Sequence, residues 1–264
     1  MKILNFLFSR SKQEQDKPIR DKLKTRKDFE RVLAEDLDIM ETTKARIDTA
    51  KNINLYMYRS LSYSYILILQ SKYSVDAKID ELRDIYIKSM HYFLQAFNKR
   101  NPIYADILNY VSLGVLLNIP DAYFRLLIDY VKQMDKQAKP SGWTPDLLLW
   151  FMLNSRMKEQ EKQKYAEKLA YPRLYNGLYK VIQAPNAAAA KDALNKYLDR
   201  WYNLNSNAPW YNSHLKDNCY RGYWAWEVAA VAKIMHIDDS DLKNNQYYPY
   251  DMVHWADNET TAKE

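Results

Sequence analysis

Glu227 is the side chain in this sequence whose surroundings most suggest chemistry. It is the only charged residue between Tyr223 and Ala232, in a run predicted to form a helix from Tyr223 to about His236. A helix that is apolar on nearly all sides must be buried, and a buried carboxylate needs hydrogen-bond donors or takes up a proton. Tyrosine hydroxyls, tryptophan N–H groups or Arg221 could donate. We interpret Glu227 as a polar anchor that fixes this helix, because no nucleophile or base lies at a recognisable spacing from it.

Histidines and aspartates near the C-terminus have the residue types of a metal site but not its spacing. They are His214, His236, His254, Asp238, Asp239 and Asp241. No histidine forms an HxxxH or HxxE pair, and the aspartates lack the glycine and distal glutamate of a calcium loop. We therefore predict no metal and no cofactor, and we expect the acidic run to start a helix near Asp239.

Catalytic residues are not predicted elsewhere either. The single cysteine, Cys219, is interpreted as an inert core thiol because no histidine lies at a recognisable spacing from it. A lone cysteine also excludes a disulfide or a thiolate zinc cage within the chain. The sequence has only four glycines in 264 residues, widely separated, which excludes phosphate-binding glycine loops. We predict that the protein is not an enzyme, with a hydrolase using Glu227 and a histidine as an alternative.

Composition and charge predict a globular protein with two different ends. Hydrophobic residues make up 47% and aromatic residues 14% of the chain, enough for a packed core. No stretch resembles a signal peptide or a membrane span, so we expect a cytoplasmic protein without a membrane partner. The net charge is +6, yet residues 1–27 carry nine basic and three acidic side chains, whereas residues 201–264 carry five and nine. The first 27 residues are interpreted as a solvated basic arm, with attraction of nucleic acid as the alternative.

Helical periodicity predicts an all-α, multi-helix bundle or array. A capping box at Thr25 and Asp28 starts a helix that reaches about residue 50. A helix is also favoured over residues 52–71, where a strand is conceivable, and apolar stripes predict helices over 79–97, 104–115 and 123–134.

Breakers at residues 139–142 predict a boundary between two helical regions. The sequence KPSG places a proline and a glycine within four residues. We expect a basic arm at 1–27, helical regions at 28–139 and 143–255, and a tail at 256–264. In the second region a helix should start at Thr144, Pro145 and Asp146, with the Thr144 hydroxyl as its cap, and further helices should cover 158–182 and 190–203.

Several motifs together resemble one known family. The chain reads YRGYWAWE from Tyr220, continues through AAVAKIMHIDD to Asp239, and reads YYPYDMV from Tyr247. KYLDRWY, WYNSH, IRDKLKTRKDFE, LQSKYS and SLGVLLNIPDAYF occur upstream in the expected order. Over residues 19–255 the sequence resembles the PoNi-type immunity proteins, helical bacterial proteins that neutralise polymorphic nuclease toxins delivered between competing cells.

The resemblance implies a function as well as a fold. It implies an all-α protein with two family-recognised halves packed together, no enzymatic activity, and binding of one cognate nuclease toxin domain in the producer's cytoplasm. Direct binding of nucleic acid is not expected, although a helical nucleic-acid-binding protein using the basic arm is the alternative function. The oligomeric state stays open. The motif residues expected to form the scaffold are Trp201, Tyr202, Tyr220, Gly222, Tyr223, Trp224, Glu227, Tyr247, Tyr248 and Pro249.

Acidic residues near the C-terminus are the expected toxin contacts. A nuclease presents cationic side chains to phosphates, so an acidic patch can compete for that surface. The candidates are Asp238, Asp239, Asp241, Asp251 and Asp257. Caps of local helices are the alternative role for Asp238 and Asp251.

Overall fold

A computed structural model describes residues 18–96, 103–136 and 143–255 of the chain. Within these ranges the protein is built from α-helices and short 3-10 turns, without strands, as the all-α prediction requires. The helices are α1 (Arg26–Thr49), α2 (Leu55–Ser74), α3 (Ile79–Ala96), α4 (Tyr104–Leu116), α5 (Asp121–Lys136), α6 (Leu147–Asn154), α7 (Pro172–Ile182), α8 (Ala187–Leu204), α9 (Trp226–Met235) and α10 (Tyr250–His254).

The chain divides into two compact units. Of the described residues, unit 1 contains 18–96 and 209–223, with α1 to α3, whereas unit 2 contains 103–136, 143–208 and 224–255, with α4 to α10. This division differs from the predicted regions, because a piece of the C-terminal sequence belongs to unit 1. The predicted boundary at 139–142 lies outside the described residues.

In unit 1, α2 packs against both α1 and α3. The helix α1 begins at the predicted capping box, in which the Thr25 side chain accepts from the Asp28 N–H and Asp28 Oδ2 accepts from the Thr25 N–H at 3.0 Å. Residues Leu55–Ser74 form one continuous helix, α2, so the alternative of a strand over residues 52–71 is wrong. One part of the apolar core of this unit consists of Leu33, Met40, Leu61, Tyr65 and Ile68.

Part of the predicted basic arm is attached to the end of α2. Arg20 Nη1 donates to the carbonyls of Tyr73 and Ala77 at 3.1 and 3.0 Å, and Arg26 Nη1 donates to the Val75 carbonyl at 3.1 Å. The last carbonyls of a helix lack helical partners and carry partial negative charge, so cations stabilise them. Residues 18–26 therefore have a structural role, while residues 1–17 lie outside the described residues.

In unit 2, α9 is the central helix. It contacts α4, α6, α7, α8 and α10, and residues 228–232 are at most 1% exposed. The sequence around Glu227 is apolar because a helix with neighbours on all sides has no solvent-exposed face for charged residues. The helix ends at Met235, and His236 adopts the left-handed conformation with φ of 52°.

Three local predictions in unit 2 are wrong. Residues 158–171 contain only the 3-10 turn Glu159–Glu161, and α7 begins at Pro172, where the missing N–H costs nothing. The cap of α6 is Asp146 rather than Thr144, since Asp146 Oδ1 accepts from the Leu149 N–H at 2.8 Å. The acidic run starts only the 3-10 turn Ser240–Leu242.

Candidate functional site

The first half of the YRGYWAWE motif lies in unit 1 and holds residues 18–36 in place. The Tyr220 hydroxyl donates to Asp21 Oδ2 at 2.5 Å, and burial raises the pKa of Asp21. Arg221 binds Asp36 through Nε at 2.9 Å and through Nη2 at 2.7 Å, a bidentate pair with a carboxylate that is 3% exposed. Arg221 therefore donates to Asp36, and the alternative in which it donates to Glu227 is wrong.

Gly222 and Tyr223 complete this part of the motif. Gly222 has φ of 105°, a conformation that side chains disfavour, and its carbonyl accepts from Gln70 Nε2 at 2.6 Å. The Tyr223 hydroxyl accepts from the His214 N–H at 3.0 Å and lies 3.2 Å from Ser213 Oγ. Successive residues of the motif thus bind different elements of unit 1: Arg221 binds α1 and Gly222 binds α2. These bonds hold residues 209–223 against the two helices.

The second half of the motif lies in unit 2, where Glu227 has an indole donor. Trp201 Nε1 donates to Glu227 Oε1 at 2.6 Å. Desolvation by burial raises the pKa of Glu227 to about 7, although the residue as a whole keeps some exposure. Trp224 is buried and its ring lies 6.2 Å from that of Trp226. The charge of Glu227 is therefore costly at neutral pH, and its hydrogen bonds with its own backbone N–H and with the Trp201 indole offset only part of that cost.

The YYPYD motif extends the same aromatic cluster. Tyr247 stacks on Tyr202 with ring centroids 5.4 Å apart and planes at 5°, and its carbonyl accepts from the Ala225 N–H. The Tyr248 hydroxyl donates to Asp239 Oδ2 at 2.7 Å. Pro249 is buried and precedes α10. The motif therefore attaches the residues after α9 to α8 and to α9 itself.

Asp239 is buried, which is at odds with its expected role as a toxin contact. It is 2% exposed, and its other carboxylate oxygen, Oδ1, lies 2.8 Å from His254 Nε2. Both oxygens are thus used within unit 2 by Tyr248 and His254. Asp239 acts as a structural residue that positions α10.

The other acidic candidates differ in exposure and pairing. Asp238 and Asp241 are exposed and both pair with Lys191, at 2.8 and 3.2 Å. The bond to Lys191 lowers the pKa of Asp238. Asp251 is exposed in the first turn of α10, and Asp257 lies outside the described residues.

Two further aspartates form aromatic clusters that sequence reasoning missed. Asp135 accepts from Trp143 Nε1 at 2.9 Å, from Trp150 Nε1 at 2.7 Å and from the Tyr165 hydroxyl at 2.8 Å. Asp146 accepts from the Tyr104 hydroxyl at 2.9 Å in addition to capping α6. The partners are between 8 and 42 residues away in sequence, so no local pattern shows them.

The structure also bears on the residues considered for catalysis and metal binding. Among the described residues no group of three or more His, Cys, Asp or Glu side chains is arranged to hold a metal ion. Cys219 is exposed, so the prediction of a core thiol is wrong. No helix within the described ranges has the length and apolarity that a membrane crossing needs.

Comparison with known proteins identifies the family. Residues 14–129 match the model of the N-terminal part of the PoNe immunity proteins (PoNi), and residues 144–252 match the model of the C-terminal part. The chain belongs to the PoNi immunity protein family. The suggested resemblance is confirmed over most of the sequence, and both of the aromatic motifs described above lie within the C-terminal match.

A solved structure shares this fold without close similarity in sequence. The crystal structure of protein PA2201 from Pseudomonas aeruginosa is similar to this chain with a TM-score of 0.69, at 17% identity, over 93% of each chain. At that identity the likeness concerns the fold alone. No curated protein sequence matches this PoNi chain.

Proposed function

We propose that this chain is an immunity protein that binds a cognate PoNe toxin, blocks its nuclease activity, and protects the cell that produces both. The observation that carries the proposal is the match of both PoNi halves, in order, over residues 14–129 and 144–252. A nuclease acts on nucleic acid inside the cell, so the protection would operate in the cytoplasm. The protein acts through binding and requires no catalytic residues.

The arrangement of the motif residues supports a binding role for the surface. Tyr220, Trp201 and Tyr248 donate to Asp21, Glu227 and Asp239, respectively. These polar groups satisfy one another inside the fold and are not available to a partner. Recognition of a particular toxin therefore falls to exposed side chains outside these clusters.

Acidic side chains near the C-terminus belong to this proposal as steering groups. A nuclease that binds phosphates carries a cationic surface, which negative charge attracts over several ångströms. Pairing with Lys191 reduces the field of Asp238 and Asp241. Asp251 is exposed at the start of α10. We assign Asp238, Asp241, Asp251 and Asp257 to the acceleration of encounter, and we remove the buried Asp239 from the set.

Co-expression with the toxin domain encoded beside this chain tests the function. Cells that express the toxin alone should lose viability and degrade their DNA, and cells that also express this chain should survive. A toxin variant without nuclease activity should form a stable stoichiometric complex with the purified chain. Survival without the immunity protein, or toxicity unchanged by it and no complex, would contradict the proposal.

A further inference from the structure

Exposed apolar side chains concentrate on the hairpin formed by α1 and α2. Eleven large apolar or aromatic side chains are exposed among the described residues, and five of them belong to this hairpin or its connecting loop. They are Ile39, Ile53, Leu55, Tyr56 and Tyr63. Residues 26–74 are about a fifth of the described chain, so the hairpin carries about twice as many exposed apolar side chains as an even distribution would give it. Single exposed apolar residues are normal on a protein surface, but a concentration on one element indicates a contact surface.

Two residues of this set, Tyr56 and Tyr63, form a stripe on α2 together with the exposed Arg59. Tyr56, Arg59 and Tyr63 follow one another at three and four residues and so lie on the same face of the helix. Tyr56 is 72% exposed and Tyr63 is 58% exposed. Both tyrosines extend into solvent, although a phenol ring usually buries most of its apolar area.

Ile39 adds an exposed apolar side chain on α1, the helix that packs against α2. It is 51% exposed and lies three residues after Asp36, on the same side of the helix. Asp36 is bound by Arg221, and the charge of Arg221 also interacts with Tyr63. Ile39 and Tyr63 are thus both exposed on two helices that pack against each other, and we call the four exposed residues of this pair the hairpin surface: Ile39, Tyr56, Arg59 and Tyr63.

Carboxylates border the hairpin surface on the α1 side. Between Val32 and Thr43 the chain has four acidic residues and no basic one. Asp36 is neutralised by Arg221, whereas Glu35 and Asp38 are exposed and form no ion pair within the described part of the chain. In a protein of net charge +6, this part of α1 presents local negative charge to solvent.

We infer that the hairpin surface is the principal docking site for the toxin, and that it receives a cationic protein surface with an apolar centre. The inference rests on the proposed function and adds the location of the contact. Tyrosine and arginine are the residue types that most often dominate binding energy in protein interfaces, and a polar rim surrounds such anchors. Ile39, Tyr56 and Tyr63 supply the apolar centre, while Glu35 and Asp38 supply a rim complementary to a nucleic-acid-binding surface.

A double variant tests the apolar centre. Tyr56→Ala with Tyr63→Ala should raise the Kd for the inactive toxin about a hundredfold, chiefly through faster dissociation, because two anchors are removed. Tyr123→Ala is the matched control, since Tyr123 is an exposed tyrosine on α5; its Kd should stay within about twofold. Circular dichroism and the melting temperature of each variant should match those of the wild type.

A second variant tests the rim. Glu35→Lys with Asp38→Lys should slow association at low salt about fivefold or more, with a smaller effect at high salt. If the wild type binds and both folded double variants bind with unchanged kinetics, the hairpin surface is not the docking site and the immunity function stands. If the wild type neither binds nor protects, the proposed function itself fails.

Discussion

At the scale of single residues, carboxylates that accept hydrogen bonds from tyrosine or tryptophan recur in both units. Asp21 is bound by Tyr220, Asp135 by two tryptophans and a tyrosine, and Asp239 by Tyr248. Tyrosine and tryptophan bury a large apolar ring and still donate one hydrogen bond, so they can satisfy an acid within a core. The 23 tyrosines and 7 tryptophans of this chain therefore act partly as donors to buried acids.

Glu227 shows how such a residue makes stability depend on pH. Its pKa in the folded protein is about 7, above the ordinary value near 4.5, because burial disfavours the charged form. The folded state then binds more protons than the unfolded state between these two values, so the free energy of unfolding falls as pH rises from about 4.5 through about 7.

Glu227→Gln should remove this pH dependence. The amide oxygen can still accept from Trp201 Nε1, but no charge is buried, so the variant should exceed the wild type in stability by about 1 to 3 kcal/mol at pH 8 and by less at pH 5. Urea unfolding of both proteins from pH 5 to 8 measures the difference. Glu227→Ala is the contrasting variant: it leaves the Trp201 indole N–H without its acceptor and should cost about 1 to 3 kcal/mol at pH 5 relative to Gln. Parallel pH profiles for wild type and Glu227→Gln would contradict this account.

A buried acidic residue can be predicted from the sequence only when its neighbours along the chain reveal it. Glu227 is conspicuous as the one charge in an apolar run, and this pattern is visible without a structure. Asp36 and Arg221 are 185 residues apart, and nothing near either residue indicates the pair. The sequence predicts Asp146 at the start of a helix, yet its bond to Tyr104 depends on how α4 packs against α6.

At the scale of elements, helical periodicity predicts the long helices and fails where charge and proline interrupt it. The capping box at Thr25 and Asp28 gives the start of α1 because the bonds involved span only three residues. Residues 158–171 have the composition of a charged surface helix, but Pro172 prefers the first helical position and starts α7 there. The segment before it is held instead by tertiary bonds, such as those between Asn154 and Gln163.

The close approach of α7 and α8 in unit 2 gives a prediction for Gly177. A Cβ atom at this position would lie 2.5 Å from Cδ2 of Tyr197, whose ring is 4% exposed and whose hydroxyl donates to the Leu174 carbonyl. The ring cannot turn away without losing this bond. Glycine to alanine ordinarily stabilises a helix by up to about 1 kcal/mol, but overpacking costs about 1 to 3 kcal/mol.

Gly177→Ala should therefore lower stability by up to about 2 kcal/mol, as measured by urea unfolding. Asn176→Ala, at the exposed neighbouring position of α7, serves as the control and should change stability by less than about 0.5 kcal/mol. Restoration of stability in the double variant Gly177→Ala with Tyr197→Leu would confirm the steric cause. A stabilised Gly177→Ala would show that the two helices can separate.

At the scale of the whole molecule, the net charge of +6 is unexpected under the proposed function, the inhibition of a nuclease. Both partners would then be cationic at their surfaces, and their average charges would repel. Association must depend on local negative charge, which this chain has around Glu35 and Asp38 on α1 and in the final 64 residues. The family resemblance predicted the fold, but family motifs such as YRGYWAWE consist mainly of buried residues and do not indicate which exposed residues contact a partner.

The C-terminal carboxylates give the last prediction, which separates steering from docking. Asp241→Lys with Asp257→Lys replaces two negative charges by two positive ones outside the aromatic motifs. The loss of the exposed pair between Asp241 and Lys191 costs at most about 1 kcal/mol, so the variant should fold. Association with the inactive toxin should slow about fivefold at low salt, while dissociation should change little, because steering acts before contact.

A double variant with the same change in charge elsewhere, Asp84→Lys with Asp129→Lys, is the control, and stopped-flow association at low and high salt is the measurement. If both variants slow association equally, net charge alone is responsible; if neither does, the C-terminal carboxylates do not steer the encounter.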